Sequence, residues 1–268
     1  MSTINNILVP FSNSPSAIGA LKTAIVLSKL FHAKLHVIHV VTNISENNIL
    51  DQIRNICTAE NAQFTFIERS GNISKEVIKA EQEINADLIV MGAYGISGWQ
   101  QLWVGSNAFK VVSTSHCPVL TLQGDVGSFA GFNKIMLPLD DSEETRQKVN
   151  VVKMFASAFD ANVLIFNVTK VKGEESRQKL SKYAHQVEEL LAKDGIQSTF
   201  DESYGNNIAE DCIKFAQMHN CDLITIMTET ENTNSFFMGT YAQQLVSTST
   251  IPVLTIHARS VSRLQSLA

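Results

Sequence analysis

Short runs of consecutive apolar residues alternate along the chain with longer segments in which apolar residues recur at helical spacing. In the first half the runs predict strands, and the periodic segments predict helices. We expect the strands at about 5–10, 35–41, 63–69, 87–92 and 118–122, and the helices near 15–31, 46–60, 73–84 and 105–115. Because the strands are continuously apolar, they should be buried on both faces. This alternation of strand and helix predicts a parallel sheet with helices on both sides.

The second half of the chain repeats the sequence of the first at corresponding places. Residues 7–10 (ILVP), 85–89 (NADLI), 112–115 (VSTS) and 118–121 (PVLT) are echoed by residues 135–138 (IMLP), 220–224 (NCDLI), 246–249 (VSTS) and 252–255 (PVLT). The period is too long for a solenoid repeat and indicates a duplicated domain.

A Gly- and Ser-containing stretch at 123–128 follows the last apolar run of the first copy and marks the joint between the copies. We therefore predict one domain at 1–125, a second at 130–258, and a loosely held tail at 259–268.

Composition and charge narrow the class of protein. The chain has 268 residues, of which 44% are hydrophobic and 18% charged, and its net charge is -5. It has no basic stripe, so we expect no nucleic-acid partner. No apolar stretch approaches the roughly 20 residues that a membrane span needs, and no signal peptide is evident. The four cysteines form no CxxC pair. We therefore expect a cytoplasmic protein without membrane contact.

Two loops follow the carboxyl ends of predicted strands, which is where open parallel sheets bind ligands. The first is Pro10-Phe11-Ser12-Asn13-Ser14. The second starts at Met91-Gly92-Ala93-Tyr94-Gly95 and, after nine intervening residues, reaches Gly105-Ser106 at the start of a helix. A helix N-terminus with glycines before it attracts phosphate. The same residues also suit ordinary turns and a plain N-cap, so the glycines alone leave the function open.

The pattern Gly92-x-x-Gly95, nine residues, Gly105-Ser106 resembles the signature of ATP-binding universal stress proteins. Residues 87–92 (DLIVMG) before it and 117–120 (CPVL) after it match that family as well. The resemblance covers nearly the whole chain. It implies two copies of an α/β fold of the adenine nucleotide alpha hydrolase type, each an open five-stranded sheet of order 3-2-1-4-5.

The same resemblance implies a nucleotide site in the first copy. Val40 would meet adenine through its backbone, and the phosphates of ATP, with or without Mg²⁺, would be held by the glycine loop. The full set of implied binding residues is Pro10, Phe11, Ser12, Val40, Met91, Gly92, Gly95, Gly105, Ser106 and Asn107. It includes no catalytic residue and no metal ligand from the protein.

Both copies depart from the family pattern. The usual Asp after the first strand is Ser12 in the first copy, which weakens bonding to ribose by about 1 kcal/mol. The second copy keeps Asp140 but has Met227 and Thr230 in place of the glycines. Glu229 and Glu231 add negative charge there. We predict that the second copy does not bind ATP and is structural; the alternative is a less anionic ligand.

Three functions remain open. The first is a regulatory, stress-linked protein that binds ATP or another adenine nucleotide in its first copy. The second is an enzyme using ATP, which would be at most a slow ATPase. The third is a ligand-free scaffold. The last strands of the copies, around 119–121 and 253–255, are expected to pair within the chain. A further homodimer is left open.

Overall fold

The structure is a computed structural model that describes residues 3–42, 48–93, 106–123, 129–140, 148–169, 174–204, 207–228 and 240–257. In the first half the elements are β1 (Asn6–Pro10), α1 (Pro15–Phe31), β2 (Lys34–Val41), α2 (Ile49–Ala59), β3 (Thr65–Ser70), α3 (Ile73–Ile84), β4 (Leu88–Gly92), α4 (Ser106–Thr114) and β5 (Val119–Leu122). The predicted alternation of strand and helix is confirmed.

The second half repeats this order. Its elements are β6 (Lys134–Leu139), α5 (Val149–Phe159), β7 (Asn162–Thr169), α6 (Glu174–Lys193), β8 (Ser198–Tyr204), α7 (Ile208–Met218), β9 (Leu223–Met227), α8 (Thr240–Thr248) and β10 (Val253–Ile256).

The described strands form one ten-stranded sheet in the order β3-β2-β1-β4-β5-β10-β9-β6-β7-β8. Within each half the pairs are parallel, and the order is the expected 3-2-1-4-5. The halves meet where β5 and β10 pair antiparallel, with Leu120 opposite Leu254. The last strands of the two copies therefore pair within the chain, as the sequence predicts, and neither is an exposed edge.

The helices lie on two faces and bury two apolar clusters, each continuous across both halves. α1, α2, α5 and α6 cover one face, where Leu122 and Ile256 share a cluster. α3, α4, α7 and α8 cover the other, where Val119 and Val253 share a cluster. Since strands buried on both faces carry no polar face, they read as continuous apolar runs in the sequence.

Local signals in the sequence position the helices. Ser14 caps α1, with its hydroxyl accepting from the N–H of Ala17, and Pro15 stands at the first helical position. Asn72 caps α3 in the same way, and α3 ends in the left-handed Asn85. The counterpart of Asn85 in the second half, Asn220, also has a positive φ.

A repeated aspartate fixes the start of the first strand in each half. Asp87 accepts hydrogen bonds from the backbone N–H groups of Asn5 and Asn6 at 2.8 and 3.0 Å. Asp222 does the same for Asn133 and Lys134. The repetition of this aspartate in the two halves therefore has a structural cause, because its contacts tie the first and fourth strands of each half together.

The buried stripe of α6 differs from the prediction at two positions. The amphipathic pattern predicts that Leu180, Tyr183, Val187, Leu190 and Leu191 are buried. Leu180, Val187 and Leu191 are buried, but Tyr183 is only half-buried, Leu190 is 43% exposed, and Ala184 is buried instead. None of the described helices is long and apolar enough to cross a membrane.

Candidate functional site

The first candidate site lies at the carboxyl edge of the sheet, where the strand order reverses between β1 and β4. β1 pairs with β2 on one side, with Pro10 opposite Ile38, and with β4 on the other, with Leu8 opposite Ile89. The chain leaves the two strands in opposite directions along the sheet, so a crevice opens beyond their ends. This edge brings together the implied residues of both loops that the structure describes.

Phe11 is held firmly at this edge. Its N–H donates to the carbonyl of Ile38 at 2.8 Å, and its own carbonyl lies 3.1 Å from Nδ1 of the buried His39. The Phe11 side chain is buried as well. Phe11 thus extends the β1–β2 ladder by one residue, and Ser12 begins the loop from a fixed point.

A short chain of serine hydroxyls runs from Ser12 into α1. The Oγ atoms of Ser12 and Ser14 are 3.2 Å apart, and those of Ser14 and Ser16 are 3.3 Å apart. The position of the family's Asp is therefore occupied by a half-buried hydroxyl that is already engaged with the cap of α1. A ligand that bonds to Ser12 shares this hydroxyl with Ser14.

Gly92 is required by packing against α1. A Cβ at this position would lie 2.5 Å from Oγ of Ser16 and 2.7 Å from its backbone carbon. Gly92 is not among the described glycines with positive φ, so an unusual backbone conformation is not the reason for glycine here. What Gly92 supplies is the absence of a side chain where β4 meets α1.

The remaining implied residues fall into three groups. Val40 and Met91 are buried and belong to the same apolar cluster as Ala108 in the first turn of α4. Ser106 begins α4, and Asn107 is half-buried beside it. Gly95 and Gly105 lie outside the described residues. The first turn of α4 is therefore buried on the same face of the sheet as Val40 and Met91. That the start of this helix faces phosphate stays a prediction.

Three histidines that lie close together in the sequence, at the end of α1 and on β2, do not converge in the structure. His36 places Nε2 3.3 Å from Oδ1 of Asn6, while His39 contacts Phe11 on the neighbouring loop. His32 is the left-handed cap of α1. Among the residues that the structure describes, no group of three or more His, Cys, Asp or Glu side chains is placed to hold a metal ion.

The second half has a cleft at the corresponding edge, with a volume of about 200 Å³. It is lined by Pro138, Leu139, Asp140, Lys148, Val168, Asn207, Ile208, Ala209, Tyr241 and Gln244. Asp140 and Val168 occupy the positions that Ser12 and Val40 have in the first half. The cleft thus lies where the repeat places a counterpart of the first site.

Lys148 is the residue of this cleft that the sequence reasoning missed. It is 3% exposed and precedes α5. Burial lowers its pKa to about 8, while the nearby carboxylate of Asp140 and then Cys212 act in the opposite direction. Aligning the halves offers a signal for it, since Lys148 stands where the first half has the fully buried Ala20.

The cysteines are not reactive groups of either site. All four are buried. Burial raises the pKa of Cys212 to about 12, although its Sγ lies 3.4 Å from the hydroxyl of Tyr241. Burial also raises the pKa values of Cys57 and Cys221 to about 11. These thiols stay protonated at neutral pH and behave as small core residues.

The fold and its clefts define an open α/β protein built of two repeated halves. The model of the universal stress protein family matches residues 44–123 and 131–257. The chain therefore belongs to the universal stress protein family, with the family unit present twice in tandem. The first match begins after β2, so the first loop with Ser12 lies outside it, whereas the second match includes the corresponding loop.

Relatives and solved structures agree with this assignment. The chain is 31% identical over 146 residues to universal stress protein YxiE of Bacillus subtilis, covering 44% of this chain and 99% of that protein. It is 27% identical over 137 residues to universal stress protein MJ0531 of Methanocaldococcus jannaschii, covering 44% of this chain and 81% of that protein.

The fold is shared over the whole length with solved structures of two-unit size. A universal stress protein from Archaeoglobus fulgidus superposes with a TM-score of 0.78 at 18% identity, covering 95% of this chain and 98% of that chain. A functionally unknown protein from Pseudomonas aeruginosa superposes with a TM-score of 0.73 at 17% identity, covering 99% of this chain and 97% of that chain.

Proposed function

We propose that this protein binds an adenine nucleotide at the carboxyl edge of its first half and acts as a regulatory, stress-linked member of its family. One observation carries the proposal: the first turn of α4 shares a buried cluster with Val40 and Met91. We infer that the start of α4 lies beside the crevice between β1 and β4, because α4 follows β4 in the chain and Ala108 in its first turn is buried on the same face of the sheet as Val40 and Met91. A helix N-terminus there supplies free N–H groups and the positive end of a dipole for phosphates.

The affinity for nucleotide is expected to be modest. Ser12 offers a neutral hydroxyl where the family has a carboxylate, and that hydroxyl also contacts Ser14 at 3.2 Å. A neutral hydrogen bond contributes about 1 kcal/mol less than a charge-assisted one. Mg²⁺ bound with the nucleotide would offset part of the phosphate charge.

We further propose that the second half does not bind ATP. Met227 is buried at the position of Gly92, where the first half has no room for a side chain beside α1. The second half thus carries a side chain where the first half has none, which argues against the same phosphate loop. The pairing of β5 with β10 supports domain limits of 1–125 and 130–258, with 259–268 a tail and the two halves imitating a dimer. A cytoplasmic location stays a prediction.

The test uses matched substitutions in the two halves. The protein is stripped of nucleotide, and Mg-ATP is titrated by calorimetry into the wild type, Ser12→Asp, Asp140→Ser and Asn107→Asp. Ser12→Asp should tighten binding by roughly fivefold. Asn107→Asp should weaken it, because it adds a negative charge beside the phosphates, yet an acidic residue in the first helical turn stabilises a helix. Asp140→Ser should change nothing.

Two outcomes contradict the proposal in different ways. If no heat is seen up to millimolar Mg-ATP and no nucleotide is released from the purified protein, the ligand-free scaffold is the better description. If Asp140→Ser removes binding and Ser12→Asp has no effect, the nucleotide lies in the second half. Phosphate release measured on the same stripped protein decides whether slow hydrolysis accompanies binding.

A further inference from the structure

The loops at the carboxyl edges of the two halves differ in charge. Residues 12–16 read SNSPS in the first half, whereas the matching residues 140–144 read DDSEE and contain four acidic residues. The loop after the fourth strand shows the same contrast, since residues 93–105 contain no Asp or Glu and the matching segment contains Glu229 and Glu231. Because like charges repel, these loops of the first half oppose an anion far less than those of the second.

Ser12 can donate a hydrogen bond, which an ionised Asp in its place cannot. Oγ of Ser14 accepts from the N–H of Ala17 at 3.2 Å and lies 3.2 Å from Oγ of Ser12. When the single hydrogen of the Ser14 hydroxyl points to Ser12, the hydrogen of Ser12 is left for a ligand. Ser12 therefore suits a ligand that accepts, such as a phosphate, whereas a carboxylate suits a ligand that donates, such as a ribose hydroxyl.

The segments on either side of Ser12 hold its position and add no negative side chain. The preceding residue, Phe11, donates its N–H to the carbonyl of Ile38 at 2.8 Å, which fixes the end of β1. On the other side, α1 begins at Pro15 and has no acidic residue in its first turn. No side chain of that turn therefore opposes the positive end of the helix dipole. Ser12 is presented from a fixed point in surroundings that tolerate negative charge.

We propose that the first half takes an adenine nucleotide whose ribose itself carries a phosphate, on its 2′ or 3′ oxygen, and that Ser12 donates to this phosphate. The inference rests on the nucleotide site proposed above, in which the residue after β1 meets the ribose. In dinucleotide-binding folds an acidic residue accepts from a free ribose hydroxyl, and a basic residue accommodates a phosphate there. Ser12 is a neutral donor, so the preference for a ribose phosphate should be moderate.

A carboxylate at position 12 should act in opposite directions on the two kinds of nucleotide. With a free ribose, Ser12→Asp gains a charge-assisted hydrogen bond, so ADP and ATP should bind roughly fivefold more tightly. With a ribose phosphate, the same substitution removes a donor and places a negative charge beside a phosphate, so binding should weaken about tenfold or more. The ratio of the two affinities should therefore change by about fiftyfold.

The experiment titrates AMP, ADP, adenosine 2′,5′-bisphosphate and adenosine 3′,5′-bisphosphate into the nucleotide-free, full-length protein by calorimetry. ADP carries as many phosphates as the bisphosphates, but both at the 5′ end, so it controls for charge in general. At least one bisphosphate should bind about tenfold more tightly than AMP, and more tightly than ADP, since a hydrogen bond to a charged group contributes about 1.5–3 kcal/mol. The two isomers decide which ribose oxygen carries the phosphate.

Variants at position 12 separate charge from size. Ser12→Asp and Ser12→Asn are matched, because Asn has nearly the shape of Asp without its charge and its amide can donate. Ser12→Asn should keep the preference for the bisphosphate over AMP, and Ser12→Asp should lose it. Asp140→Ser, at the matching position of the second half, should change neither affinity. Thermal melting checks that each variant is folded.

The outcomes distinguish this inference from the proposed function. If neither bisphosphate binds more tightly than AMP, or if Ser12→Asp and Ser12→Asn weaken the bisphosphate equally, the ribose phosphate is overturned while adenine nucleotide binding stands. If none of these ligands binds and Mg-ATP gives no heat either, the nucleotide site of the first half and the inference built on it fail together.

Discussion

Oγ of Ser115 lies 3.0 Å from Nε2 of His257, which stands 142 positions later in the chain. The other ring nitrogen of His257 is 3.1 Å from the hydroxyl of Thr228. Ser115 belongs to the first half and His257 to the second, so this contact joins the halves beside the β5–β10 pair. Gln123 is the residue of the first half that corresponds to His257 in the repeat. Its side-chain amide donates a hydrogen bond to the carbonyl of Val246 in the second half at 3.1 Å.

The stability of the protein should depend on the protonation of His257. Burial, and to a smaller extent the nearby His116, lowers the pKa of His257 to about 4. A hydrogen bond with the backbone of Val112 acts in the opposite direction. The unfolded state therefore binds its proton first as the pH falls. The contribution of His257 to stability should be constant above about pH 6.5 and should decline between about pH 6.5 and 4, by roughly 3 kcal/mol in total.

The substitution that checks this is His257→Gln, which copies Gln123. The variant should lose part of the acid-induced decline in the free energy of unfolding, measured in urea from pH 7 to 4. His185→Gln removes an exposed histidine on α6 and should keep the wild-type profile. If the unfolding free energies of the wild type and His257→Gln decline equally as the pH falls, the role given to His257 is contradicted.

A buried carboxylate holds the turn before β5. Oε1 of Glu81 accepts from the N–H groups of His116 and Cys117 at 2.6 and 2.9 Å, and the residue is 2% exposed. Glu81→Ala leaves two buried donors without acceptors and should cost about 3 kcal/mol of unfolding free energy. Glu81→Gln keeps an acceptor and should cost less.

The comparison for Glu81 is its neighbour Glu83. Glu83 forms an exposed ion pair with Arg69 at 2.6 Å, and exposed pairs contribute less than about 1 kcal/mol. Glu83→Ala should therefore change the urea midpoint little. Equal losses for Glu81→Ala and Glu83→Ala would show that the two backbone contacts carry no special energy.

Gly92 should not tolerate a side chain. Its Cβ would meet both the hydroxyl and the backbone of Ser16, at 2.5 and 2.7 Å. Gly92→Ala should therefore lower stability by about 1–3 kcal/mol through overpacking, with a lower melting temperature. Adding Ser16→Gly should restore only part of the loss, because the backbone carbon of residue 16 remains. Full restoration would mean that only the side chain of Ser16 is the obstacle.

Removing the buried charge of Lys148 should stabilise the protein at neutral pH. Below about pH 8 the lysine is protonated in both states, and the folded state carries the full cost of burial. Lys148→Met should raise the unfolding free energy by roughly 1–3 kcal/mol at pH 7. Between about 8 and 10.5 the folded wild type releases its proton first, so the advantage of the variant should shrink.

Urea unfolding at pH 7 and pH 9.5 measures this difference. Lys182→Met serves as the control, because Lys182 is exposed and its removal should change the unfolding free energy equally at both pH values. Destabilisation of Lys148→Met at pH 7 would show that the lysine is compensated in the folded state by contacts that offset its burial.

Several elements could be predicted closely because their causes are local. Helices α1 and α3 have the predicted bounds, and each has a side-chain cap and a left-handed end within a few residues. Leu190 was placed wrongly by the same reasoning. Helical periodicity defines a stripe, but how far the stripe extends depends on the sheet beneath it, and β7 and β8 leave Leu190 outside.

The candidate site, too, could be predicted from the sequence only in part. The two loops and the residues at the strand ends could be found from the sequence, since strand order places them at one edge. The reason for Gly92 could not, because the obstacle is Ser16 on another element. Nor could the environment of Lys148 be foreseen, since a lysine before a helix is most often solvated and only the surrounding strands and helices bury it.

The sequence by itself determined the class of this protein: the repeat, the alternation of strand and helix and the glycine spacing carry the family, because they are properties of neighbouring residues and fixed spacings. The tertiary structure decided how the two halves differ. His257 becomes neutral and Lys148 becomes a buried charge only when segments far apart in the chain exclude water from them. Desolvation arises from packing in three dimensions, which no single stretch of sequence contains.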